Sequence, residues 1–336
     1  MVRGLERYTA INSGLAAAKF QIAKRIATEK AEGIEEKQKI HSRVKKEFRK
    51  ILEESDMGIL KENVANYSFL SLKRDILFEM LKDCNFCERR CGINRFEKKG
   101  FCKCSATSYF SSEFLHLGEE PELVPSHTIF FNRCTFACVF CQNYDIVYSD
   151  DMVAEPRELA LIIDRRYRQG SRNINFVGGN PDQHAHTIAE ILLHVDSNIP
   201  VVWNSNMFHS IELAEIIEDF VDVWLGDFKY GDNKCALRYS KAPRYLEVVQ
   251  RNFLRAKDNG ELLIRHLVMP NHIECCTAKV VDWVAENLGR EVRFNLMFQY
   301  YPTYKAFEFP EISRRLTGEE MKRAYKIASE KLSNLV

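Results

Sequence analysis

Residues 127–143 read HTIFFNRCTFACVFCQN. The first five combine aromatic and β-branched residues as a buried strand does. The cysteines that follow, Cys134, Cys138 and Cys141, are spaced C-x3-C-x2-C. Further apolar runs of strand length come after them: NINFV at 173–177, VVWN at 201–204, VDVWL at 221–225, LLIRHLV at 262–268 and VRFNLMF at 292–298. Helical stretches at 156–168, 184–195, 210–219, 243–257 and 277–288 lie between them. Strands alternating with helices predict a parallel sheet. Eight such units would close a full barrel, so six predict an α/β fold of the partial (β/α)6 TIM type. Ligands of such sheets sit at the carboxyl ends of the strands, the end at which the cysteine loop follows the first strand.

The totals are those of an ordinary globular chain. It has 336 residues, 46% hydrophobic and 28% charged, with a formal net charge of +1. That length accommodates one large domain and an appendage, and the charge does not point to nucleic acid as a partner. No run of 18 apolar residues predicts a membrane span, and the first residues lack a secretory pattern. The 11 cysteines are bunched, which favours metal ligation in a reducing, cytoplasmic setting over disulfides.

Residues 1–83 predict a helical N-terminal region, with apolar residues at helical intervals (Leu15, Ala18, Ile22, Ile26). Its basic run HSRVKKEFRK at 41–50 reads as a solvated helix face or, alternatively, as a contact for RNA or an acidic partner. A Cys-rich module is expected over 84–125. Cys84, Cys87, Cys91, Cys102 and Cys104 follow the spacing C-x2-C-x3-C-x10-C-x-C. Four of them suffice for a tetrahedral zinc site or a second Fe–S cluster. Cys104 is left out because one intervening residue crowds two ligands. The partial barrel is expected over 126–305 and a helical C-terminal segment over 306–336.

Three thiolates on the 134–141 loop, with no fourth beside them, would hold a 4Fe–4S cluster while leaving one iron open. C-x3-C-x2-C with Phe140 before its last cysteine resembles the cluster motif of the radical S-adenosylmethionine (SAM) superfamily. HLGEEPEL from His116, HTIFF from His127, QNYDI from Gln142 and CNFCERRCGINR from Cys84 resemble its pyruvate formate-lyase activating enzyme-like branch. The likeness covers about residues 84–305. It implies reductive cleavage of SAM to a 5′-deoxyadenosyl radical, which abstracts hydrogen from a substrate, a protein or peptide being one expectation. It also implies a reductant such as ferredoxin or flavodoxin. Radical modification of a small metabolite, methyl transfer included, is the second reading. A non-enzymatic metal-dependent binding or electron-transfer protein is the third.

Gly178-Gly179-Asn180-Pro181 resembles the Gly-Gly-Glu-Pro motif that contacts the SAM amino group in that family. Asn180 departs from it, keeping an acceptor and losing the charge. Asn204, Ser205 and Asn206 end the third strand, where polar groups can face a cofactor or simply solvent. Asp227 and Lys229 lie two apart on an extended segment, hence on one side, and resemble the Asp-x-Lys near the SAM carboxylate. Arg265 within an apolar strand requires a partner: the carboxylate of SAM or substrate, or an internal acid. Gln299, Tyr300 and Tyr301 line the mouth or pack. Cys235, Cys275 and Cys276 lie apart from both cysteine groups in sequence and are expected to be inert.

Overall fold

The computed structural model describes residues 3–53 and 56–336, so residues 1, 2, 54 and 55 of the expected helical region lie outside the described residues. In chain order the helices are α1 (Glu6–Asn12), α2 (Lys19–Ala23), α3 (Ile34–Glu53), α4 (Phe69–Met80), α5 (Tyr144–Val147), α6 (Pro156–Arg168), α7 (Ala185–His194), α8 (Ile211–Ile217), α9 (Asn233–Ser240), α10 (Tyr245–Asn259), α11 (Lys279–Asn287) and α12 (Gly318–Lys331). The strands are β1 (Tyr109–His116), β2 (Ser126–Phe131), β3 (Met152–Val153), β4 (Ile174–Gly178), β5 (Val201–Ser205), β6 (Val223–Asp227), β7 (Glu261–Leu267) and β8 (Arg293–Met297). They form one sheet in the order β3-β1-β2-β4-β5-β6-β7-β8.

The expected parallel strands are β2 and β4 to β8, paired in sequence order. The central ones are buried on both faces, as the crossover helices require, and β5 shows this along its whole length, whereas every second residue of β8 is only half-buried. Two antiparallel strands, β1 and β3, extend the sheet beyond β2. At the other edge the C-terminal residues pair with β8, with Phe294 N donating to Asn334 O and Val336 N to Phe294 O. The sheet is therefore open and mixed, a partial barrel. Among the described residues no helix is long and apolar enough to cross a membrane.

The N-terminal helices are packed into this body. Glu261, at the start of β7, accepts from Arg7 N and from Tyr8 N at 2.7 Å, and so holds the first turn of α1. Leu5 and Tyr8 are buried with Val202, Val223, Leu225 and Leu263, which closes the end of the barrel where the strands begin. The basic run on α3 is neither a plain solvated face nor free for RNA over its whole length. Lys45 pairs with Glu218, Arg49 lies 3.6 Å from the same carboxylate, and Lys73 of α4 reaches Asp219 at 2.6 Å. These acids follow α8, so the basic helix docks on the barrel's own acidic corner.

Candidate active site

Tight backbone packing places the cysteine loop. Gly178 has φ +111°, and a Cβ there would lie 2.1 Å from Phe131 O; one on Gly179 would lie 1.7 Å from Arg133 O. Gly179 N donates to Phe131 O at 2.8 Å. The two glycines therefore let the end of β4 press against the root of the loop after β2, a contact that side chains would prevent. Asn206 adds a side-chain tie, its Nδ2 lying 2.9 Å from Thr135 Oγ1 and 3.7 Å from Cys134 Sγ.

At the carboxyl ends of the strands is a cavity of about 610 Å³. All three loop cysteines line it, together with Gly178, Gly179, Asn180, Asn204, Asp227 and Lys229. None of these cysteines is in a disulfide. Burial pushes all three thiols up, Cys141 to about 12, and Lys229 opposes that rise at each. Phe136 N donates to Cys134 Sγ at 3.3 Å, and Cys138 Sγ lies 2.8 Å from Ser240 Oγ. Buried thiols become thiolates when cationic charge is close. A loop of three such groups, with N–H and O–H donors aimed at the sulfurs, is a donor set that fits an iron–sulfur cluster.

Lys229 Nζ lies 2.7 Å from Asp227 Oδ2 in the cavity wall, so the expected ion pair faces the site. Burial works against the Lys229 charge, but Asp227 and the neighbouring thiols hold its pKa above the ordinary value. Asn180 has its side chain committed inside the protein: Oδ1 accepts from Asn206 N at 3.0 Å, and Nδ2 reaches Gln183 Oε1 at 3.2 Å. Of the aromatic pair, Tyr300 packs at 5.8 Å from Phe140, while Gln299 lines the cavity.

Arg265 finds its partners within the chain. Its Nε lies 2.7 Å from Glu120 Oε1 and its Nη2 2.6 Å from Glu120 Oε2, and it also bonds Glu119. Asn295 Nδ2 reaches Glu120 at 2.7 Å and Asn175 Nδ2 reaches Glu119 at 3.1 Å. The HLGEEPEL run thus dips into the barrel and floors the cavity with two carboxylates that share one guanidinium. Against the cost of burial, Arg265 holds Glu120 below the usual carboxylate range. Sequence reasoning quoted the run without finding this role, because the partners are 145 and 175 positions away.

Cys84, Cys87, Cys91 and Cys102 line a second, small cavity with Arg89 and Arg95. Turn hydrogen bonds close it, Cys84 N to Ile93 O at 2.9 Å and Gly92 N to Cys84 O at 3.1 Å. Cys104 is buried outside that lining. Four free thiols around one cavity are a donor set that fits a metal centre. Elsewhere the fold gathers the cysteines that are isolated in sequence: among the described residues, one His/Cys/Asp/Glu group has all its donor atoms within 4.8 Å of one another, Cys235, His272 and Cys275.

A family model described as the Radical SAM superfamily matches residues 128–284. An uncharacterized protein of Methanocaldococcus jannaschii is 48% identical over 335 residues, covering 96% of this chain and 96% of that protein. Among solved structures, SuiB of Streptococcus suis bound to S-adenosylmethionine aligns at 16% identity and a TM-score of 0.44, over 60% of this chain and 47% of its own. This chain therefore spans just under half of SuiB's length. Methylornithine synthase (PylB) aligns at 11% identity and a TM-score of 0.44, over 97% of this chain and 77% of its own.

Proposed function

We propose that the chain, whose residues 128–284 match the Radical SAM superfamily model across the cysteine loop and strands β4 to β7, is an enzyme that cleaves SAM reductively and removes hydrogen from a substrate. One observation carries the reading. The thiols of Cys134, Cys138 and Cys141 face the same cavity as the Asp227–Lys229 pair, so a three-thiolate cluster site and a zwitterion-binding pair share one space. When bound, the cluster and SAM would supply a one-electron reductive cleavage of a carbon–sulfur bond, the electron coming from an external reductant such as a ferredoxin or flavodoxin.

The chain's own residues hold and enclose. Cys134, Cys138 and Cys141 would ligate the cluster. Lys229 receives the cofactor carboxylate, and Asp227 keeps the ammonium charged and aimed. The cofactor amino group is met by backbone carbonyls at Gly178 and Gly179 and by Asn204, since the Asn180 amide is committed to Asn206 and Gln183. The Glu119–Glu120–Arg265 floor closes the barrel below and limits water. Cys84, Cys87, Cys91 and Cys102 hold a second metal centre beside the cluster loop, either a zinc ion or another Fe–S cluster.

For the substrate, hydrogen abstraction from a protein or peptide, as in the activating-enzyme-like branch, is the first reading. Radical modification of a small metabolite, methyl transfer included, is the second reading. Anaerobically reconstituted, dithionite-reduced protein is expected to convert SAM to 5′-deoxyadenosine and methionine, and Cys138→Ala to abolish this while the chain stays folded. Substantial turnover by that variant would remove the cysteine loop from the mechanism.

A further inference from the structure

Outside both cysteine groups, we propose a metal site built from Cys235, His272 and Cys275, suited to a divalent ion of the zinc class that prefers thiolate and imidazole. Cys235 lies on α9, and His272 and Cys275 lie at the π-helical turn Ile273–Ala278 after β7. Their donor atoms all fall within 4.8 Å of one another. Sulfur and nitrogen ligands around zinc, at about 2.3 and about 2.0 Å from the ion, stand roughly 3.5–3.8 Å apart. Small side-chain rotations bring the three onto one ion. None of the cysteines is oxidised to a disulfide.

The imidazole is already oriented for ligation. His272 Nδ1 lies 2.7 Å from Pro270 O, and only a protonated Nδ1 can bond a carbonyl, so in the neutral ring that ligates a metal Nε2 carries the lone pair. Backbone carbonyls fix metal-binding histidines in this way. Tyr239 Oη is 3.1 Å from Nε2, but its proton goes to Glu311 Oε1 at 2.6 Å. Glu311 is also bound by Arg238 at 2.8 Å, so it stays an ionised acceptor. A buried nitrogen lone pair therefore faces two thiols, whose S–H groups are the donors an ion would replace. Cys276 Sγ lies 4.0 Å from Cys275 Sγ but falls outside the group whose donors all converge, and adjacent residues are poorly placed to share one ion. It is assigned as a neighbour. Cys235 and Cys275 are partly exposed, which leaves the fourth position to solvent.

The position suggests what the ion does. Less than one and a half turns of α9 separate Cys235 from Ser240, whose hydroxyl touches Cys138. Tyr239 O and Ser240 O accept from Val139 N and Ala137 N of the cluster loop. An ion tying α9 to the turn after β7 therefore steadies the helix end that supports the loop. The site itself stands independently of SAM chemistry.

The test is metal analysis of full-length protein purified without oxygen and equilibrated with zinc, counting zinc, iron and sulfide per chain. Cys235→Ser and Cys275→Ser are each expected to lose about one zinc per chain with iron and sulfide unchanged, and Cys276→Ser to lose none. His272→Ala is the second route should a serine variant fail to fold. Cobalt added after chelation is expected to give thiolate charge-transfer bands that are weaker in the Cys235→Ser variant by the share of one bound ion per chain. Equal zinc and cobalt signals in the parent and in the Cys235 and Cys275 variants would overturn the site, as would loss confined to Cys276→Ser.

Discussion

Ser240 Oγ lies 2.8 Å from Cys138 Sγ and 2.6 Å from Tyr230 Oη. A metal-bound thiolate only accepts, so in the loaded protein Ser240 donates to Cys138 and takes its own hydrogen bond from Tyr230. Hydrogen bonds to cluster sulfurs set the reduction potential. Removing one worth about 1 kcal/mol shifts a one-electron couple by about 40 mV. Ser240→Ala is expected to lower the cluster potential by that order with iron content retained, measured by redox titration followed by electron paramagnetic resonance.

Lys229 is the cation of the cavity wall, paired with Asp227 at 2.7 Å. A hydrogen bond to a charged group contributes about 1.5–3 kcal/mol. Lys229→Met is expected to weaken SAM binding by roughly 10- to 100-fold, by calorimetry on reconstituted protein. Iron content is expected to hold, since Lys229 is not a ligand. Unchanged affinity would place the cofactor carboxylate elsewhere.

Arg265 binds two carboxylates beneath the site, and Glu120 is buried. Removing one partner of a buried pair leaves uncompensated charge, at a cost of about 3–5 kcal/mol. Arg265→Met is expected to lose about that much stability by urea denaturation. Glu119→Gln combined with Glu120→Gln in the same background is expected to restore part of it.

His127 is buried at the start of β2, with Nε2 2.9 Å from Glu113 Oε2. Burial, opposed by Glu113, lowers its pKa from 6.5 to about 4. The folded value lies below the unfolded one, so folding prefers the neutral ring. Its contribution is present above about pH 6.5 and is lost as pH falls through about 4, on the order of 3 kcal/mol in all. Denaturation midpoints are expected to drop across that window and to drop less in His127→Gln.

The parallel strands were legible because each must be apolar on both faces, and runs such as VVWN announce that locally. β1 was not, since YFSSEFLH mixes polar and apolar residues on an edge, and β3 is two residues whose strand character exists only through pairing with β1. Helix α9 was missed because NKCALRYS is short, and Asp232 caps it across a single turn. The expected helix over 243–257 nearly coincides with α10. For the site, Asp227 and Lys229 were readable from spacing alone. Which partner Arg265 takes was not, because the acids that bind it belong to a distant loop.

By itself the sequence determined the alternation of strand and helix, the thiol loop after the first parallel strand, and the Gly-Gly and Asp-x-Lys segments at strand ends. Each is a short-range pattern, set by residue type and spacing along a few consecutive positions. Only the tertiary structure decided that α1 closes one end of the barrel, that Glu119 and Glu120 floor the other, and that Cys235 meets His272 and Cys275. Those contacts join residues tens to hundreds of positions apart, and packing around the open sheet brings them together.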